Sequence, residues 1–205
     1  MPIVSTISFS ETSKGWSSFW DYSPSFIFSL KGVYYTMYSN GMWEHYDGTT
    51  LDNRGSFYGT YYDSTVTLIM NPNESTSKNF KTVNYEGTNG WQVNSFTSDE
   101  YSPNNSVNPI SIQDSTTAIK SYKEGKFISR GREVFAGFKR KENKYSANLL
   151  NNSVISREGE VRGGKSVSGI KGFYADVTLS TDSTTDIGGA KQLFSVSSEF
   201  VISAI

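Results

Sequence analysis

Alternation between apolar and polar positions runs through most of this 205-residue chain, and its period is two. SFIFSL (25–30), VYYTMYS (33–39) and MWEHY (42–46) follow one another near the N-terminus, and SFYGTYY (56–62) and STVTLIM (64–70) continue the series. That period sends successive side chains to opposite faces of an extended strand. Ser39-Asn40-Gly41 marks a turn between the second and third runs, because Asn-Gly accepts the positive φ of a tight hairpin. Asp47-Gly48 and Asn53-Arg54-Gly55 mark two more. Connections this short leave no room for crossover helices, so a meander of antiparallel strands is expected.

The alternation breaks at NPNESTSKNF. Asn71 is a good N-cap, Pro72 suits the first helical position, and Glu74 stands where it can bond back to the cap. This predicts one to two turns of helix over Pro72–Asn79, with Phe80 turning inward and KTVNYEG resuming as a strand. Residues 97–118 hold two prolines and few large apolar side chains, which suggests a long loop or an internal boundary. Beyond KSYKEGKFISRG, the run REVFAGFKRKENKYSANLLNN is the best helical candidate. The tail alternates again in GIKGFYADVTLST and KQLFSVSSEFVISAI, around the polar loop DSTTDIGGA. The expected fold is mainly β, with antiparallel sheets in a sandwich- or barrel-like arrangement, one or two short helices, and a single domain over residues 1–205.

Composition sharpens this reading. Aromatic residues make up 15% of the chain, and rings with β-branched residues favour pleated surfaces. There is no cysteine, so no disulfide or thiolate metal site holds the fold. No apolar run approaches the ~20 residues that span a bilayer, and the N-terminus lacks the basic start and apolar stretch of a signal peptide. The net charge of −1 hides an uneven distribution: residues 1–118 carry a net −6, and residues 119–144 a net +6. A basic segment on an acidic body fits a solvated face, or a patch matched to an acidic neighbouring subunit, better than a nucleic-acid site, because the body repels phosphate.

Candidate chemistry is sparse. His45 is the single histidine, which excludes a multi-histidine metal centre, and although it could serve as a base with Glu44 or Asp47, nothing in the sequence supplies a nucleophile partner for a triad. Neither a Walker-type phosphate loop nor a G-x-S-x-G elbow is present. Asp21, Glu44, Asp47, Asp63, Glu86, Asp99 and Glu100 are carboxylates that glycoside hydrolysis could use, but no spacing forces two of them together. Neither catalysis nor a cofactor or metal is expected. Trp16, Trp20, Trp43 and Trp91, with the pairs Tyr34-Tyr35 and Tyr61-Tyr62, offer material for a sugar-stacking platform. Core packing and subunit interfaces explain the same rings as well.

Three blocks resemble the tail ring and muzzle proteins of crAss-like phages and related short-tailed phages. The first is SKGWSSFWDYSP through VYYTMYSNGMWEHY, FYGTYYDSTVTLIMN and FKTVNYEG. The second is KRKENKYSANLLNNS, and the third is SGIKGFYADVTLSTD followed by KQLFSVSSEFVIS. Together they run in order from about Lys14 to Ser203. The resemblance implies a virion structural protein made in the bacterial host cytoplasm. It implies a ring homo-oligomer, twelve-fold favoured and six-fold the alternative, connecting the portal to the distal tail. Its other partners would be the portal, other tail proteins and DNA passing through the channel without sequence-specific binding; no membrane is involved. A carbohydrate- or receptor-binding tail module is the alternative. The candidate intersubunit contacts are the basic Lys139, Arg140 and Lys141, with Tyr85 and Glu86 of the NYEG block.

Overall fold

The computed structural model describes residues 6–45, 55–101, 109–111, 119–122, 127–129, 132–134, 137–149, 169–182 and 191–203. The chain divides into two compact units, residues 1–62 and 63–205. The turn at Asp47-Gly48 lies outside the described residues, as does most of the predicted 97–118 loop beyond Tyr101.

The first unit is built of short hairpins. β1 (Thr6–Ser10) pairs with β2 (Gly15–Trp20), and β3 (Phe26–Leu30), β4 (Val33–Tyr38) and β5 (Gly41–His45) form a three-stranded sheet in that order. The turn between β4 and β5 centres on Ser39-Asn40, with Tyr38 opposite Gly41, so Gly41 opens a strand and Ser39 takes the positive φ of +56°. SFYGTYY is no single strand. Tyr58 (φ +53°) and Gly59 (φ +79°) fold it into a minimal hairpin, β6 (Ser56–Phe57) with β7 (Thr60–Tyr61). Rings form this unit's interior. Tyr22 stacks on Phe57 at 4.3 Å and on His45 at 5.4 Å, Tyr38 stacks on Tyr58 at 4.2 Å, and Trp20 meets Phe57 edge-on at 5.6 Å.

The second unit interleaves distant segments. Its strands are β8 (Thr65–Met70), β9 (Lys78–Phe80), β10 (Thr82–Gly87), β11 (Trp91–Tyr101), β12 (Pro109–Ser111), β13 (Phe127–Ser129), β14 (Arg132–Val134), β15 (Lys139–Lys141), β16 (Lys144–Asn148), β17 (Ile170–Gly172), β18 (Ala175–Thr181), β19 (Leu193–Ser197) and β20 (Phe200–Ile202). Two four-stranded sheets run in the orders β12-β11-β18-β8 and β15-β16-β10-β19; a three-stranded sheet runs β17-β9-β20, and β13 pairs with β14. All pairings among the described residues are antiparallel. Phe80, Val83, Tyr85, Phe96, Val177 and Leu179 meet in one shared apolar core. β17 lies so close to β9 that a Cβ on Gly169 (φ +80°) would fall 2.3 Å from the Phe80 carbonyl oxygen, which requires glycine there.

The expected short helices are absent: the described residues hold strands and turns and no helix. Over Pro72–Asn79, Asn73 adopts a left-handed φ of +55°, which stops a helix at its second residue. The Thr76 N–H closes a turn onto the Asn73 carbonyl at 3.0 Å. Lys78 then starts β9 fully buried, and its Nζ donates to the carbonyls of Asn73 (2.9 Å) and Thr76 (2.8 Å). An inward ammonium therefore satisfies acceptors that a helix would have used itself. The second expected helix, within 132–152, is instead β14 and the β15–β16 hairpin. Glu142 at φ +56° turns the chain, and Tyr145 and Ala147 are buried while their neighbours face outward. Period two won there because β16 has β10 on its other side to bury against.

Candidate assembly surface

Register explains what the sheet β15-β16-β10-β19 displays. Lys141 stands opposite Lys144, Lys144 opposite Glu86, and Glu86 opposite Ser195. Two residues along, Lys139, Ser146, Asn84 and Ser197 form a second row on the same face. The row between them points the other way and holds Arg140, Tyr145, Tyr85 and Val196. Directly paired residues share a face and their neighbours along the strand take the opposite one. The five candidate contacts thus divide by strand parity.

Lys139, Lys141 and Glu86 lie exposed on the outer face. Lys144, which the sequence reading did not single out, joins them between Lys141 and Glu86. Its signal was available: the same alternation that buries Tyr145 turns Lys144 outward. Two lysines directly opposite each other repel, and the row carries one carboxylate, so the face keeps a positive excess.

Tyr85 is a core residue, 1% exposed. Its ring stacks on Tyr145 at 4.5 Å with planes 10° apart and meets Phe138 edge-on at 4.8 Å. Arg140 faces the same side from the edge strand: its guanidinium carbon lies 6.0 Å from the centre of the Tyr145 ring, and its Nε donates to the Glu142 carbonyl at 2.8 Å. The arginine stem covers the margin of the core while its charge reaches water.

Of the carboxylates weighed for acid chemistry, Asp99 is taken up by backbone N–H groups. Asp99 accepts from the Phe173 and Tyr174 N–H groups at 2.7 and 3.2 Å and shapes the turn between β17 and β18. Asp182, buried, accepts from the N–H and hydroxyl of Ser121, both at 3.3 Å. The described residues contain no group of three or more histidine, cysteine or acidic side chains placed to hold a metal.

His45 sits within the first unit's ring cluster. Its Nε2 lies 2.7 Å from the hydroxyl of buried Thr36, which in turn lies 2.8 Å from the Tyr58 hydroxyl. Burial lowers the imidazole pKa below its ordinary 6.5, which keeps the ring neutral and lets Nε2 accept from Thr36. The unfolded chain therefore binds the proton more readily than the folded unit. Stability is full above about pH 6.5 and falls as the pH drops through the lower folded value. Acidification from pH 7.5 to 5 should loosen residues 6–45 first, and His45→Gln should flatten that response. Hydrogen exchange across this range checks it; equal protection at both pH values, after correction for intrinsic rates, would count against it.

Residues 52–152 match the family model of the Crassvirus muzzle protein C-terminal domain. The match covers just under half of the chain. It takes in FYGTYYDSTVTLIMN, FKTVNYEG and all but the last residue of KRKENKYSANLLNNS, and hence the whole of β8 to β11 and β15–β16. β1 to β5 and β17 to β20 fall outside it. No curated protein matches the chain.

Proposed function

Because this chain is related through residues 52–152 to the Crassvirus muzzle proteins, and is a structural protein of a crAss-like phage tail, we propose that it assembles as a ring-forming connector between portal and distal tail around the DNA channel. The muzzle-domain match is the observation that carries this reading. Twelve copies are favoured and six are the alternative, with the portal and other tail proteins as neighbours. The proposed role is construction and not catalysis.

A closed ring needs two different surfaces that fit each other on successive copies. The outer face of β15–β16 offers one. Lys139, Lys141 and Lys144 gather charge that the single carboxylate Glu86 leaves in excess, and residues 1–118 carry the opposite sign. An acidic neighbour relieves the repulsion between Lys141 and Lys144. Lys139→Glu with Lys141→Glu is expected to block assembly and leave the monomer folded, because both side chains are exposed and neither touches the core. Arg140 is left in place, since its stem shields Tyr145. Light scattering and rotational class averages of assembled particles provide the test. Normal rings from the double variant would rule out charge matching, and a tail-tip position with no rotational ring would sink the connector reading itself.

A carbohydrate- or receptor-binding tail module is the second reading. It has in its favour the exposed rings of Trp16 and Phe19 on β2, which would stack on sugars. Glycan-array binding that is lost with Trp16→Ala would support it over the connector.

A further inference from the structure

The first unit carries two apolar surfaces that its own described residues leave uncovered. On the β1–β2 hairpin, Ile7 pairs with Phe19 and Phe9 with Trp16. All four side chains lie on one face, and Trp16 and Phe19 are 68% and 82% exposed. Phe9 and Trp16 already meet edge-on at 5.3 Å. The opposite face holds Ser8 and Trp20, whose Nε1 donates to the Ser8 hydroxyl at 3.1 Å and whose ring packs on Phe57.

The β3-β4-β5 sheet repeats the arrangement. Tyr34, Thr36, Tyr38 and His45 turn inward to the ring cluster around Tyr22 and Tyr58. The alternate positions form the outer face: Phe26 beside Met37 beside Met42, then Phe28 beside Tyr35 beside Glu44, with Leu30 beside Val33 at the end. Glu44 is the one charge in these rows and is hydrogen-bonded to Tyr35. Phe28 stacks on Tyr35 at 5.4 Å, while Phe26 and Met42 are 57% and 64% exposed. The hairpin and the sheet thus share one interior, Tyr22 and Phe57, and each turns a second apolar face away from it.

We propose that these two faces are the halves of one self-association contact, in which the β1–β2 face of one copy packs on the outer β3-β4-β5 face of the next. With about 200 Å² for a fully exposed large side chain, each face presents roughly 450 Å² of apolar surface, the size of the largest patch on an ordinary soluble monomer, and this unit carries two. Together they bring about 900 Å² of apolar surface to the contact, and because apolar atoms make up about 56–65% of an interface, the whole contact passes the roughly 1,200 Å² where stable interfaces begin. A lone two-stranded hairpin is marginal in water and gains most from such a cover. The head-to-tail arrangement covers both faces of every copy with one contact type. Packing hairpin on hairpin would need a second, different contact to cover the sheets. The inference goes beyond the connector reading, since nearly all of this unit lies outside the muzzle-type segment, and the contact can exist whether or not a ring closes.

The chain has no cysteine, so introduced thiols report this contact cleanly. With a short bis-maleimide, full-length protein carrying both Phe19→Cys and Met42→Cys should give a ladder of dimers, trimers and larger products. Either single variant alone should give less than a tenth of that product, and an equimolar mixture of the two should stop at the dimer. Product from the double variant no greater than from Thr67→Cys, an exposed position in the second unit, would overturn the proposal. A strong homodimer from either single variant would overturn it equally. The connector reading fails on a different readout, the symmetry of the assembled particle.

Discussion

Tyr85→Ala is expected to destabilise the 63–205 unit by about 3–5 kcal/mol, the usual cost of emptying a large ring from a core. Tyr85 fills the space between Tyr145 and Phe138, and stacked or edge-on rings add about 0.5–1.5 kcal/mol beyond the area they bury. A domain of ordinary stability, about 5–15 kcal/mol, loses much of its margin to such a change. Its neighbour behaves differently: Glu86→Gln alters an exposed side chain and should stay within about 0.5 kcal/mol. Hydrogen exchange resolved along the chain separates the outcomes. Tyr85→Ala should strip protection from β10, β11, β16 and β18 and spare β1 to β5. Full protection in that variant would mean that Tyr85 serves an interface and not the core. Adjacent letters in the NYEG block thus have unrelated jobs, with strand parity as the cause.

A chain ending at residue 152 is expected to lose the second unit altogether. The muzzle-type segment stops there, yet β18 stands between β11 and β8, with Val177 opposite both Phe96 and Leu68. Removing β18 leaves β8 without a strand partner and exposes Val93, Phe96 and the apolar face of β8. β17, β19 and β20 go with it, so β10 loses one side and β9 loses both. Losing several fully buried large side chains exceeds what a small domain can absorb, at about 2–5 kcal/mol each. Circular dichroism of residues 1–152 should show disordered chain in place of the second unit's strand signal. A cooperative unfolding transition with native protection in β8 and β11 would refute this.

Both expectations depend on contacts between distant parts of the chain, which is where the sequence reading and the structure part. The lysines of β15 stand out by charge and Glu86 by the NYEG block, and their exposure follows from alternation once a strand is granted. Tyr85 was paired with Glu86 as a contact because adjacency in sequence looks like adjacency in space; in a strand it means opposite faces. Lys144 stands out only once 139–148 is a hairpin, because the run REVFAGFKRKENKYSANLLNN reads as a helix. The exposed faces of the first unit were missed for a related reason. Large apolar residues on both strand parities, as in GWSSFW and FIFSL, mark no side as inner, so the sequence does not distinguish core from interface.

What the sequence determined by itself is local. Period-two alternation fixed the strands β3, β4, β5, β8 and β10, and short polar turns dictated antiparallel neighbours for β3, β4 and β5, because both depend only on residues a few positions apart. The expected meander stops there, since β8 pairs with β18 and β10 with β16 and β19. The tertiary structure decided the rest. It turned Asn71–Ser77 from a capped helix into a turn, because Lys78 is buried where its ammonium can take the carbonyls that a helix would have used. It made a hairpin of 139–148, because β10 was there to pair with β16. It brought β18 between β11 and β8 from more than seventy residues away. No local pattern encodes these outcomes, since the burial of an inward side chain depends on which distant strand arrives to cover it.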